Sequence, residues 1–143
     1  MASRIFVNLP VKDLNRSVEF FTRLGYTFNP QFTDENATCM IIGENIYAML
    51  LVEDYFRTFT DREIVDAHKG VETIIALALD SREQVDEQVA KARAAGGTVP
   101  REPQDYGFMY QHAFQDPDGH LWEVFHMAAD AVPEHQGAAA AAS

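Results

Sequence analysis

The sequence predicts an α+β fold made of two βαβββ modules, and three observations predict it. The order strand, helix, three strands can be read twice along the 143 residues. The strand-to-helix passages Val11–Gly25 and Leu79–Gly96 look like one unit used twice, at low identity between the copies. The last stretch, Gln115 to His126, reads as a hairpin that closes the second module. Module one is expected over 3–53, a connector over 54–70 and module two over 71–128, together one domain over 1–128. The Ala-rich segment 129–143 offers no apolar face and is expected to be a disordered or loosely attached tail.

Taken in order, Arg4 to Val11 alternates partly and is rich in Ile, Phe and Val, which predicts a strand. Asp13 can cap the helix that follows. Leu14, Val18, Phe21 and Leu24 recur at helical spacing, and Gly25 stops it. Tyr26 to Phe32 is a strand, Thr33 to Ala37 a turn, Thr38 to Ile42 and Ile46 to Val52 two more strands. The stretch Glu53 to Gly70 sets Tyr55, Phe56 and Phe59 among charges. Thr60 to Glu63 has the capping-box pattern, which predicts a short helix start there. A connector this long is either a lid over a binding site or a plain crossover. Val71 to Leu79 is a strand. Ser81 to Gln84 is a capping box, Val85, Val89 and Ala92 form a buried stripe, and Gly96-Gly97 ends the helix. Thr98 to Arg101 is a short strand and Glu102 to Gly107 a loop.

In the closing hairpin, strands Phe108–Gln115 and Leu121–Met127 flank Asp116-Pro117-Asp118-Gly119. Asp and Pro suit the opening of a type I turn. Gly can take the left-handed conformation that closes it with a bulge. With the bulge, Asp116 pairs near His120 and Ala113 lies opposite Glu123. Met109, Gln111, Ala113, Glu123 and Phe125 then share one face, and Tyr110, His112, Trp122, Val124 and His126 the other. Without it the register slips by one and His112 joins Glu123. The Pro-Asp-Gly order asks for the bulge. Glu123 would cost much if ionised and unpaired in a dry core. It is expected to face a polar cavity, a metal or solvent.

Composition narrows the function classes. With 11 basic and 22 acidic residues the net charge is −11, which argues against nonspecific nucleic-acid or anionic-membrane binding. No apolar run approaches the ~20 residues of a membrane span. No signal-peptide pattern opens the chain, and the single Cys39 permits no internal disulfide. A cytoplasmic protein is expected. Cys39, in an apolar run, reads as a small core residue.

The segment Asp116-Pro-Asp-Gly-His-Leu-Trp-Glu123 resembles the closing hairpin of the vicinal oxygen chelate superfamily, which holds glyoxalase I, bleomycin- and fosfomycin-resistance proteins and extradiol dioxygenases. Residues 8 to 25, Asn-Leu-Pro-Val-Lys-Asp-Leu-Asn-Arg-Ser-Val-Glu-Phe-Phe-Thr-Arg-Leu-Gly, resemble its opening strand and helix. The resemblance spans residues 3 to 128. It implies a sheet in each module cupped around a cavity, and a homodimer. One family arrangement builds each cup from two chains. It also implies one divalent metal held by four His, Gln or Glu side chains from the first and last strands of each module, acting as a Lewis acid on vicinal oxygens.

Aligned through Val11-Lys12-Asp13 and Leu79-Asp80, those four positions hold Phe6, Met49, Ile74 and Glu123. Only Glu123 is a ligand type, and a Met thioether is too soft for a hard divalent ion. No cofactor is therefore expected. A rearranged metal site would have to draw on His68, His112, His120 and His126. His112 and His126 face away from Glu123, and His120 beside the turn is expected to be exposed. The cup wall is read as Phe6, Asn8 and Pro10, with Tyr47, Met49 and Leu51, Ile74, Ala76 and Ala78, and Met109, Gln111, Ala113, Glu123 and Phe125. It is apolar and aromatic with few polar groups, as in a small-molecule pocket. The first expectation is a family member that binds an organic small molecule, as bleomycin-resistance proteins do, with Phe6, Asn8, Tyr47, Met49, Ile74, Met109, Gln111 and Phe125 as its contacts. The second is an enzyme, lactoylglutathione lyase-like, isomerase or dioxygenase-like, with Glu123 as acid/base or ligand of a reassembled metal site. A third is a structural dimer whose pocket is filled by its own side chains.

Overall fold

The computed structural model describes residues 1–128, so the tail expectation lies outside the described residues. The chain divides at Gly70 into two compact units, the second starting at Val71.

In the first unit, β1 (Ile5–Val11) leads into α1 (Leu14–Arg23). Asp13 caps α1: its carboxylate accepts from the Arg16 N–H at 3.1 Å. The helix stops at Gly25, whose φ of 103° few other residues tolerate. β2 is short, Thr27–Asn29, because Pro30 opens a 3-10 turn over Pro30–Phe32. This shortens the strand expected from Tyr26 to Phe32. β3 (Ala37–Gly43) and β4 (Ile46–Val52) follow, and the strands lie in the order β1-β4-β3-β2. One sheet face packs on α1: Leu9, Val11, Met40, Ala48 and Leu50 are buried, as are Phe20, Phe21 and Leu24. The helix thus buries Phe20 and Ser17 as well as Phe21 and Leu24, while Leu14 and Val18, expected in the stripe, are only half-buried. The other sheet face carries Phe6, Asn8 and Pro10, paired in register with Tyr47, Met49 and Leu51.

No helix starts at Thr60. The helical residues come earlier, in α2 (Glu53–Phe56) and a 3-10 turn over Arg57–Phe59. Glu53 and Asp54 sit at the positive end of α2, and Arg57 bridges back to Asp54 at 2.9 Å. The Thr60 hydroxyl accepts locally from the Arg62 N–H at 3.2 Å, a turn that competes with helix capping.

In the second unit, β5 is Ile74–Ala78, shorter than the expected Val71–Leu79. α3 (Arg82–Ala94) buries Val85, Val89 and Ala92, the expected stripe. Ser81 Oγ accepts from the Gln84 N–H at 3.1 Å, and Gln84 Oε1 accepts from the Asp80 N–H at 3.0 Å. The reciprocal bond therefore lands one residue before the cap. The expected strand Thr98–Arg101 is reduced to one bridge between Thr98 and Gln115. The edge strand is instead β6 (Gln104–Asp105), within the segment expected to be loop. Asp105 is pinned there by two Arg82 bonds, at 2.8 and 2.9 Å. β7 (Met109–Gln115) and β8 (Leu121–Met127) complete the sheet, ordered β5-β8-β7-β6. Both sheets therefore share one topology, the α+β fold of two βαβββ modules. Phe114, Trp122 and Val124 are fully buried on the face toward α3.

Candidate functional site

The bulged hairpin is present. Gly119 has φ 88°, its N–H reaches the Asp116 carbonyl at 2.9 Å, and the Asp116 N–H reaches the His120 carbonyl at 3.1 Å. Ala113 pairs with Glu123 and Gln111 with Phe125. Glu123 therefore shares its face with Ala113, Gln111, Phe125 and Met109. His112 and His126 lie on the opposite face, where His112 Nε2 donates to the Arg101 carbonyl and His126 Nδ1 to that of Leu79, each at 3.0 Å. His120 is half-buried, not exposed as expected. Its backbone N–H donates to the Asp116 carboxylate, and that bond draws it against the turn.

The internal repeat relates Phe6, Met49, Ile74 and Glu123 to one another. Phe6 and Ile74 lie equally far before the helix caps Asp13 and Ser81. Met49 and Glu123 lie equally far after Asn45 and Gly119, the two left-handed turn residues of their hairpins. Asn8 pairs with Met49 as Ala76 pairs with Glu123. Phe6 and Met49 in one unit are thus the counterparts of Ile74 and Glu123 in the other. Three of these four side chains carry no donor for a hard cation. Among the described residues, no three His, Cys, Asp or Glu come together in a metal-holding group.

Glu123 is half-buried and accepts no hydrogen bond among the described residues. Burial pushes its carboxyl up, and the charge of Arg101 partly offsets this. A carboxyl raised in the fold favours folding below its unfolded value, near 4.3, and that contribution is lost as pH rises through the folded value. Glu123→Gln should therefore be more stable than wild type at pH 7. The gain should be under about 1 kcal/mol because solvent screens a half-exposed group. It should vanish at pH 4, as read from thermal melts at the two values. Destabilisation at pH 7 would mean that an ionised partner holds the carboxylate.

Ile74 is exposed, whereas Met109, Gln111 and Phe125 are buried. In the first unit, Phe6, Asn8 and Met49 come together along one wall of a cavity of about 450 Å³. Tyr47 flanks that wall, its ring stacked on Phe6 with centroids 4.8 Å apart. The rest of the lining was not foreseen. Gln31 and Phe32 come from the 3-10 turn after β2, and Thr33 and Asp34 from the loop beyond it. Tyr55 and Phe59 come from the connector, their rings edge-on at 5.2 Å. Phe6, Phe32 and Phe59 are each about half exposed or more, and Tyr55 is 38% exposed. The signal was legible as three aromatics among charges in the connector. In the sequence it lacks a partner, because Tyr26 to Phe32, which includes the turn at Pro30, reads as strand. The cavity's volume falls within the few hundred Å³ typical of small-molecule sites.

The profile of the Glyoxalase/Bleomycin resistance protein/Dioxygenase superfamily matches residues 5–124. No curated protein matches significantly. Among solved structures, a hypothetical protein from S. aureus is 28% identical, with TM-score 0.76, over 88% of this chain and 94% of that one. A glyoxalase/bleomycin resistance protein/dioxygenase from Nocardioides is 26% identical, with TM-score 0.66, over 90% and 87%. The fosfomycin resistance protein FosX from Listeria monocytogenes shares the fold at 21% identity and TM-score 0.65, over 90% and 93%. Sequence profile, repeated topology and closing hairpin agree, and the chain belongs to the glyoxalase/bleomycin resistance/dioxygenase group, the vicinal oxygen chelate superfamily.

Proposed function

We propose that this protein binds an organic small molecule in the apolar cavity of its first module, without the divalent metal of family enzymes. The observation that carries the reading is the cavity itself: half-exposed aromatic rings around about 450 Å³, with Asn8, Gln31, Thr33 and Asp34 as its polar lining. Exposed aromatics that converge on a concavity leave apolar surface in water, and a ligand relieves that cost. The metal-free reading rests on the donor chemistry of Phe6, Met49 and Ile74. A homodimer fits the exposed Ile5, Ile46 and Ile74. A cytoplasmic setting fits the single buried thiol, Cys39. No helix among the described residues is long and apolar enough to cross a membrane.

The half-buried Glu123 favours a second reading, a lyase or isomerase in which its carboxyl moves a proton. Fluorescence titration with 9-anthracenemethanol, a neutral three-ring aromatic, separates the two. The binder reading expects saturable binding, weakened about tenfold by Phe6→Ala and little changed by Glu123→Gln. Binding lost in Glu123→Gln would move the assignment to the second reading. No saturable binding of this probe or its charged analogues would overturn the binder reading.

A further inference from the structure

The cavity of the first module has a charge character that its apolar walls do not explain. Among the described residues none that lines it is basic, and the one charged residue of the lining is Asp34. That carboxylate is held in place. Its Oδ1 accepts from the Asn36 N–H at 2.8 Å and the Ala37 N–H at 3.0 Å, while the Asp34 N–H donates to the Ala37 carbonyl at 2.9 Å. Oδ2 accepts no hydrogen bond among the described residues. Phe6, Phe32, Tyr55 and Phe59 line the same cavity. Aromatic faces present negative potential and attract cations, and a fixed carboxylate adds to that field. The net charge of −11 acts in the same direction at longer range.

We infer that the module-one cavity selects planar aromatic ligands that carry a positive charge, and that Asp34 is the residue that reads the charge. This rests on the binder reading above. An anionic ligand would meet the carboxylate and the ring faces with no cation to pair with. A neutral ring system would gain the stacking and nothing from Asp34. A cationic one gains both.

The test uses the full chain and three probes of one shape: 9-aminoacridine, cationic at neutral pH, 9-anthracenemethanol, neutral, and 9-anthracenecarboxylate, anionic. The cation should bind at least about tenfold tighter than the neutral probe, and the anion should bind weakest. Raising salt from 0.05 to 0.5 M, a range over which exposed charges become strongly screened, should narrow the cation's advantage. Asp34→Asn keeps an Oδ1 acceptor for the two turn N–H groups, so the loop has what it needs to hold its shape. The ratio of cation to neutral affinity should fall in it to about threefold or less. Equal affinity of cation and neutral probe in wild type would overturn the charge inference and leave the binder reading standing. A preference that survives Asp34→Asn would overturn the role of Asp34. Binding of none of the three would overturn both.

Discussion

Asp116→Ala should lower the stability of the second module by about 3 kcal/mol, seen as a fall in urea midpoint at unchanged slope. Asp116 is 4% exposed. Its Oδ1 accepts from the Asp118 and His120 backbone N–H groups, each at 3.0 Å, and its Oδ2 accepts from Trp122 Nε1 at 3.0 Å. Burial pushes this carboxyl up, while the charge of His120 and the Trp122 and His120 N–H bonds pull it down. Alanine would remove the carboxylate to which these three N–H groups donate, one of them on a fully buried indole. Each unsatisfied buried donor costs about 1–3 kcal/mol, and water entering the gap recovers part of it. Asp116→Asn separates the parts. Its carbonyl can still serve the turn, but its NH₂ group would then face the Trp122 N–H, donor against donor. It should cost roughly half as much. A variant as stable as wild type would mean that the indole bond contributes nothing and that bulge and packing alone hold the hairpin.

That network explains why the hairpin was the most legible part of the chain. Its turn residues specify a backbone geometry: Gly119 supplies the left-handed conformation, and Asp116 supplies the acceptor that ties turn to strand. Register follows, and with it the face of every side chain from Met109 to Met127. The α3 stripe was legible for a similar reason, since capping and periodicity agree there. Where two local signals compete, the sequence misleads. Thr60 fits a capping box, yet its hydroxyl closes a small turn, and the acidic pair Glu53–Asp54 starts the helix a full two turns earlier. Glu102 to Gly107 reads as loop because the strand there is two residues long and is held by the Arg82–Asp105 ion pair, a contact distant in sequence. The candidate site shows the same limit. Alternation along β1 and β4 puts Phe6, Asn8 and Met49 on one wall. It says nothing of Phe32, Tyr55 and Phe59, which arrive from two 3-10 turns and the short α2, whose positions depend on tertiary packing.

Those connector rings carry the second large effect. The variant Tyr55→Ala/Phe59→Ala should bind 9-aminoacridine at least about 100-fold more weakly than wild type, with each single change costing about tenfold. The two rings lie four residues apart, one on α2 and one on the 3-10 turn that continues it, and they meet edge-on. That contact fixes one ring against the other before any ligand arrives, so binding sacrifices little side-chain freedom. Removal therefore loses both contact area and its prior arrangement. Because Tyr55 and Phe59 are 38% and 59% exposed, the double variant should lose under about 1 kcal/mol of stability, which keeps a binding defect distinct from unfolding. Phe56 provides the contrast: it sits beside Tyr55 in sequence but does not line the cavity. Phe56→Ala should keep affinity within about threefold. If the double variant binds as wild type does, the connector is a crossover and the rings on it serve another purpose. If both it and Phe56→Ala lose affinity together, the whole connector has shifted and the two rings are not singled out. Only loss confined to Tyr55 and Phe59 assigns the connector to the site, because only then does the defect follow the side of the chain that faces the cavity.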